Sequence, residues 1–146
     1  TLIEHVFYLE FSYLIRKVKN FRPNIYTTSR KLQRVYPYWW SLGYCYSGDA
    51  DTIMENLVGS ILDAKYYWRK NGKEIDFLKV DKKEIVTIEV KNKKDLPKQD
   101  LHSTQYFIKT YKPKASLIVY NGDEKEIKFG GSKIKYIPLW KWLLSP

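Results

Sequence analysis

The chain has 146 residues, of which 44% are hydrophobic and 16% are aromatic, and its formal net charge is +10. This length suits one compact α/β core and excludes two full-sized domains. The apolar content excludes an intrinsically disordered chain, and the single cysteine, Cys45, excludes an intramolecular disulfide and a cysteine-based zinc cluster.

The balance of charges indicates what kind of partner to expect. An excess of basic residues predicts a polyanionic partner, because basic surfaces attract phosphate backbones and release their counterions. Ten of the 16 acidic side chains fall within residues 51–100, so a carboxylate-rich centre lies between two basic segments. A metal-assisted phosphodiesterase needs this distribution, although an ordinary solvated surface would give the same counts.

The sequence as given predicts neither a membrane span nor a secretion signal. No apolar run reaches the ~20 residues that cross a bilayer, and residues 1–10 do not have the pattern of a signal peptide. We therefore expect a cytoplasmic protein without a membrane partner. The chain opens at Thr1 inside an apolar pattern, so we expect the natural protein to begin upstream.

Residues 1–48 are predicted to form a helical and aromatic extension packed on a core domain of residues 49–146. Apolar positions at helical spacing predict an amphipathic helix over residues 2–19. Residues 25–46 then interleave basic residues, such as Lys31, with aromatic ones. This mixture can stack on nucleic-acid bases, but aromatic residues at such density more often fill a core, and core filling is the favoured interpretation.

The core domain is predicted to begin with a helix and an antiparallel meander. Asp51 or Thr52 can cap a helix that runs from residue 53 to about residue 64. The pair Asn71-Gly72 predicts a tight turn. Three strands are predicted, over residues 66–70, 74–80 and 85–90, with a turn between each strand and the next.

A second helix and three further strands complete the predicted core. The helix begins at residue 100 or 103 and ends near residue 111, before Pro113. The predicted strands cover residues 115–120, 125–129 and 133–137. A terminal helix or turn follows Pro138.

The meander contains the side chains that indicate chemistry. Alternation sends Glu74 and Asp76 to one face of their strand, with Ile75 and Phe77 on the other, and sends Glu89 and Lys91 together to one face of the next strand. Carboxylates on adjacent strands form a hard oxygen site suited to Mg²⁺. A lysine beside them can orient the attacking water or stabilise charge that develops on the phosphate.

The same side chains would also suit an exposed strand face with ordinary cross-strand pairs, and by themselves they favour neither interpretation. Three neighbouring features favour catalysis. Residues 85–88 form the apolar start of a central strand, so Glu89 and Lys91 lie near its end. Glu55 on the preceding helix and Gln105 on the following helix are expected to flank the same site.

With Glu55 on a first helix, Asp76 on a strand and Glu89-Val90-Lys91 thirteen residues later, the chain resembles the PD-(D/E)xK, or restriction-endonuclease-like, nuclease superfamily. Four stretches look more narrowly like the uncharacterised C-terminal domain that follows the ATPase in prokaryotic AAA+ proteins. They are Met54-Glu55-Asn56-Leu57-Val58, Tyr66-Tyr67-Trp68-Arg69, Glu74-Ile75-Asp76-Phe77 and Ile88-Glu89-Val90-Lys91. Residues 30–36 are similar to the segment before that domain's first helix.

The resemblance implies a fold and a set of roles. The fold would be α/β, a restriction-endonuclease-like core with a mixed central sheet and an N-terminal helical extension. Asp76, Glu89 and the Val90 carbonyl would bind Mg²⁺ or Mn²⁺, Lys91 would position water or stabilise the transition state, and Glu55 would be an auxiliary acid. Ile75 replaces the proline that names the motif.

The function implied is that of a metal-dependent DNA endonuclease module in a larger AAA+ ATPase. The alternative is a non-catalytic nuclease-like domain that binds DNA or regulates that ATPase, because a fold does not fix a function. Lys93, Lys94 and Gln105 are candidates for nucleic-acid contacts, although Lys109 stands where the RecB-like branch has the tyrosine of its Gln-x-x-x-Tyr signature. A homodimer is compatible with cutting two strands.

Overall fold

The computed structural model describes residues 1–23, 33–46, 48–82 and 84–144. Lys31, and with it residues 30–32 of the segment that resembles the flank of the AAA+-associated domain, lies outside the described residues.

The described residues form a mixed α/β structure. Its α-helices are α1 (Leu2–Phe11), α2 (Gly43–Tyr46), α3 (Ala50–Ile61), α4 (His102–Tyr111) and α5 (Leu139–Leu144). Short 3-10 helices cover Trp40–Leu42 and Lys98–Leu101. The strands are β1 (Ile15–Asn20), β2 (Gln33–Pro37), β3 (Tyr66–Lys70), β4 (Lys73–Asp81), β5 (Glu84–Lys91), β6 (Ala115–Tyr120), β7 (Lys125–Phe129) and β8 (Ser132–Pro138).

These strands form one sheet in the order β2-β1-β3-β4-β5-β6-β8-β7. The pairs β1/β3, β5/β6 and β6/β8 are parallel, and the other neighbouring pairs are antiparallel. The α/β class, the mixed sheet and the antiparallel meander β3-β4-β5 are therefore confirmed. No helix among the described residues is long and apolar enough to cross a membrane.

The helix predicted over residues 2–19 is wrong in its second half. Thr1 caps α1 in a capping box with Glu4, and α1 ends at Phe11. Tyr13 then adopts a φ of 56°, in the left-handed region that breaks a helix. The chain continues as β1, in which Arg16, Val18 and Asn20 are buried.

The N-terminal segment therefore supplies strands to the sheet and is not a purely helical extension. Strand β1 pairs in parallel with β3, with Asn20 opposite Tyr67. The Asn20 side chain also bonds the backbone of Arg69, accepting from its N–H at 3.0 Å and donating to its carbonyl at 3.2 Å. An asparagine that satisfies both backbone groups of a neighbouring strand extends the ladder beyond the paired residues.

Helix α3 starts slightly earlier than predicted. Its N-cap is Asp49, whose carboxylate accepts from the backbone N–H groups of Asp51 and Thr52. The predicted caps thus lie inside the first turn, because an acidic side chain two residues upstream satisfies the same free donors.

The sheet is covered by α3 on one face and by α4 on the other. Met54 and Val58 of α3 pack in a cluster with Phe77 and Ile88, whereas Phe107 of α4 packs in a cluster with Ile75. Tyr67 and Trp68, which are consecutive in β3, belong to the first and second cluster respectively. Successive residues of a strand point to opposite faces, so the two clusters lie on opposite sides of the sheet.

Ile75 and Phe77 were expected to share a face of β4, and this expectation is wrong because the strand is irregular there. Tyr66 pairs with Leu78, but Trp68 pairs with Ile75, so β4 contains one residue more than β3 over this interval. An extra residue of this kind bends the strand and redirects its side chains. Asp76 lies inside the irregular stretch.

Candidate functional site

Asp76, Glu89 and Lys91 meet at the open end of the β4–β5 hairpin. The Asp76 carboxylate accepts a hydrogen bond from the backbone N–H of Val90 at 2.9 Å. The Lys91 Nζ atom lies 3.2 Å from Oε2 of Glu89. Both carboxylates are buried, with exposed fractions of 9% for Asp76 and 3% for Glu89. The structure thus brings the three predicted residues together.

The two carboxylates carry more negative charge than Lys91 compensates. Burial raises the pKa of the Glu89 carboxyl well above its ordinary value, the charge of Asp76 raises it further, and Lys91 lowers it only in part. Burial alone would lower the pKa of Lys91, but Glu89 and Asp76 more than offset this, and the pKa of Lys91 is raised. The lysine is therefore a charged ammonium beside an electrostatically unfavourable pair of acids.

Helix α4 reaches Glu89 through a threonine that the sequence did not single out. Thr104 is fully buried, and its Oγ1 lies 3.5 Å from Oε1 of Glu89. Lys91 and Thr104 therefore contact different oxygens of one carboxylate. Gln105, the predicted candidate on this helix, is half-buried next to Thr104.

Glu55 lies in α3, close enough to Asp76 for the charge of Asp76 to act on its carboxyl. Its Oε1 accepts from the Tyr36 hydroxyl at 2.5 Å and lies 2.8 Å from Nη1 of Arg34. Burial and the charge of Asp76 raise the pKa of Glu55, and Tyr36, Arg34 and Lys91 offset this only in part. The predicted auxiliary acid is thus near the site, but strand β2 holds its carboxylate.

Arg34 is the second residue that sequence reasoning missed. Its guanidinium contacts Glu55 at 2.8 Å, forms an ion pair with Glu74 and lies 3.9 Å from Oδ1 of Asp76. It also stacks over the Tyr67 ring, with Cζ 4.8 Å from the centroid. Burial alone would lower the pKa of Arg34, but the surrounding groups, Tyr36 and Glu55 foremost, raise it.

The sequence signal that indicates Arg34 is the alternation of side chains along β2. Strand β2 places Arg34 and Tyr36 on the side of Glu55, whereas Val35 between them is 54% exposed. The density of aromatic residues in this segment favours core filling and thereby masks the alternation.

The lysines after the site lie on the surface. Lys93 and Lys94 are exposed, and Nζ of Lys93 is 3.3 Å from Oδ2 of Asp100. Between Lys91 and Lys93, the Asn92 side chain donates to Asp51 at the start of α3, at 3.0 Å. The segment that follows β5 is thereby tied to the helix that carries Glu55.

The donor set fits a divalent ion held by few protein ligands. Among the described residues, no group of three or more His, Cys, Asp and Glu side chains is arranged to hold a metal ion. Mg²⁺ commonly uses one or two carboxylates and fills its remaining positions with water and phosphate oxygens. Asp76 and Glu89 supply such a pair, their negative charge is incompletely compensated, and the Val90 carbonyl is adjacent in the chain.

Comparison with known proteins identifies the family. Residues 52–142 match the family described as "Domain of unknown function (DUF4143)". No curated protein and no solved structure matches the chain significantly. The matched segment covers more than half of the chain and contains Glu55, Asp76, Glu89, Lys91 and Thr104. The chain therefore belongs to the DUF4143 family.

Proposed function

We propose that the chain is a divalent-metal-dependent DNA endonuclease module with a restriction-endonuclease-like core. The observation that carries the proposal is the arrangement of Asp76, Glu89 and Lys91. Two buried carboxylates, one with a strongly raised pKa, lie beside a charged lysine at the open end of a hairpin. Strained electrostatics of this kind are typical of functional sites, because a structural ion pair would be better compensated.

Asp76, Glu89 and the Val90 carbonyl would hold Mg²⁺ or Mn²⁺. The ion would neutralise charge on the phosphate and lower the pKa of a bound water, which would make that water a better nucleophile. The neighbouring residues of the chain hold the two carboxylates in place. The Val90 N–H fixes Asp76, while Lys91 and Thr104 hold the two oxygens of Glu89.

Lys91 would act on the reacting phosphate. Its raised pKa keeps the ammonium protonated at neutral pH, so it donates hydrogen bonds and does not accept a proton. An ammonium held by Glu89 beside the metal ligands can orient the attacking water and stabilise charge on a non-bridging phosphate oxygen.

The expected substrate is DNA, and the expected context is a larger ATPase. The net charge of +10 and the exposed Lys93 and Lys94 near the site favour a phosphate backbone. The context rests on the resemblance of residues 54–91 to the domain that follows the ATPase in AAA+ proteins.

A specific observation favours a second candidate, a non-catalytic platform that binds DNA or a partner. Arg34 contacts Glu55 and Glu74 and approaches Asp76, so part of the acidic cluster is already neutralised by the protein. A guanidinium in that position would suit a site that has lost its metal and kept its fold.

Cleavage assays with matched variants separate the two candidates. Supercoiled plasmid and end-labelled linear DNA are incubated with Mg²⁺, Mn²⁺ or EDTA. Asp76→Asn and Lys91→Met are compared with Asp81→Asn, which changes an exposed aspartate of the same strand. The endonuclease proposal requires nicking by the wild type and by Asp81→Asn, with a loss of about 100-fold or more in the other two. DNA binding without metal-dependent cleavage in all four proteins would support the platform instead.

A further inference from the structure

Arg34 lies in an acidic cluster that consists of Glu55, Glu74 and Asp76. Three carboxylates surround one guanidinium, through Nη1 to Glu55 and Asp76 and through Nη2 to Glu74. Arg69 is the other described cation that touches this cluster, and its Nε is 3.5 Å from Glu74. Among the described residues, Arg34 is thus the cation that contacts all three of these acids.

Asp76 belongs to this cluster and to the pair that would hold a metal. Its Oδ1 faces Arg34 at 3.9 Å, while its Oδ2 accepts from Val90. A divalent ion bound by Asp76 would therefore lie a few ångströms from the guanidinium. Two cations at that separation in a half-buried site repel each other strongly, because water screens them incompletely. The ion and Arg34 in its present position are competitors.

The Arg34 guanidinium can also bind a partner other than these acids. Strand β2 is an edge of the sheet, and the Arg34 side chain is 24% exposed. A guanidinium is planar and binds phosphate through two parallel hydrogen bonds, which makes it an alternative partner to carboxylate. A phosphodiester that reaches the site can therefore draw Arg34 away from the acids.

We propose that Arg34 is an exchangeable cation that couples metal binding to nucleic-acid binding, an inference that rests on the proposed metal site. Without nucleic acid, Arg34 neutralises the acidic cluster and weakens divalent-ion binding. A phosphate of the substrate binds the guanidinium, and the ion takes over the carboxylates that it leaves. Metal and DNA then raise each other's affinity by the same factor, as linkage requires.

The coupling is measured by calorimetric titration of Mn²⁺ into the wild-type chain and two matched variants, each with and without a short DNA duplex that carries phosphorothioate linkages. Arg34→Met keeps the length and the packing over Tyr67 but removes the charge. Arg69→Met removes one positive charge from the same cluster without a contact to Glu55. Arg34→Lys is the conservative variant that restores a cation.

In the wild type, we expect DNA to raise the Mn²⁺ affinity by roughly 5-fold to 150-fold. In Arg34→Met, Mn²⁺ should bind more tightly without DNA by a factor in the same range, and the effect of DNA should shrink to the part that comes from phosphate oxygens on the ion. Arg69→Met should stay within about twofold of the wild type, because this more exposed pair is screened by water. Arg34→Lys should recover part of the coupling.

Thermal unfolding gives a second readout should Arg34→Met fold poorly. Three acids without their guanidinium should lower Tm in EDTA, and Mn²⁺ should restore it by more than it raises Tm of the wild type. Equal or weaker Mn²⁺ binding in Arg34→Met, with binding in the wild type, would overturn the inference and leave the proposed metal site intact. Absence of binding in every variant would overturn both. Coupled binding without any DNA cleavage would overturn the nuclease proposal alone.

Discussion

The backbone N–H of Val90 donates to the Asp76 carboxylate across the β4–β5 hairpin, at 2.9 Å. Val90 stands between Glu89 and Lys91, so this one bond fixes Asp76 relative to both. Asp76 also lies inside the stretch where β4 has one residue more than its partner strand β3. Bulges often lie next to functional sites, and this one contains the candidate metal ligand.

Glu89→Gln tests whether the buried charge of Glu89 lowers the free energy of unfolding. The raised pKa of Glu89 means that its charged form is disfavoured in the folded protein, first by burial and then by Asp76. A neutral amide of the same shape removes both effects, although it leaves Lys91 without its ion pair. We expect the metal-free variant to be more stable by about 0.5–2 kcal/mol. Denaturant unfolding in EDTA measures this.

The same variant should lose Mn²⁺ binding in calorimetry. The exposed Glu84→Gln in the same strand serves as the control and should change neither property. A clear loss of stability in Glu89→Gln would mean that the carboxylate is a structural ion-pair partner of Lys91, and the functional assignment would lose its electrostatic support.

Thr104 is predicted to position Glu89. Thr104→Val keeps the volume of this fully buried side chain and removes the hydroxyl 3.5 Å from Glu89 Oε1. Groups that orient a metal ligand typically contribute 10-fold to 100-fold in metal affinity, and the long contact favours the lower end, about 10-fold. Mn²⁺ titration measures the change, and Thr104→Ser should restore the affinity. Thr104→Ser as weak as Thr104→Val would show that packing of the methyl group, not the hydroxyl, matters.

Local patterns explain which parts of the site and fold could be predicted. The Asn71-Gly72 turn and the alternation around Asp76 and Glu89 are short-range signals, so they indicated the meander and its acidic side chains. The change from α1 to β1 was missed because the apolar residues in 2–19 also fit a helix, and the break depends on the positive φ of Tyr13.

Alternation can place Arg34 on a face of its strand, but the partners of Arg34 and Thr104 cannot be identified from the sequence because they are distant in the chain. Arg34 meets Glu55 across 21 residues, and Thr104 meets Glu89 across 15. The register shift in β4 likewise arises from its pairing with β3, which no periodicity within β4 reveals. The alternation rule consequently misplaced Ile75 relative to Phe77.

Gly59 tests the close approach of α3 to the sheet. A Cβ at this position would lie 2.5 Å from Cζ of Phe77 and 2.7 Å from Nη2 of Arg16. Alanine ordinarily stabilises a helix interior by about 1 kcal/mol over glycine, but a buried ring cannot move aside freely, and overpacking costs about 1–3 kcal/mol. We expect Gly59→Ala to lower the free energy of unfolding. Phe77→Leu in the same background should cost less than it does in the wild type. A higher Tm for Gly59→Ala would contradict the packing.

Arg16 and Asn56 form a buried polar pair between β1 and α3. Nη2 of Arg16 donates to the Asn56 carbonyl at 3.0 Å and to its side-chain oxygen at 2.8 Å. Burial lowers the pKa of Arg16, although Tyr36, Asp63 and other charged or titratable groups offset this in part. Asn56→Leu removes one acceptor from a buried cation, and a hydrogen bond to a charged group contributes about 1.5–3 kcal/mol. We expect a loss of that size in denaturant unfolding.

The double variant decides what this pair contributes. Arg16→Met removes the buried charge, so the second change, Asn56→Leu, then deprives no cation of its side-chain acceptor. We expect Arg16→Met with Asn56→Leu to be more stable than Asn56→Leu alone, because replacing both partners of a buried polar pair avoids the desolvation cost of one orphaned group. Strictly additive losses would show that the two side chains act independently. In that case Arg16 would contribute through its packing against the Tyr36 ring of β2, 5.2 Å from its Cζ, and not through Asn56.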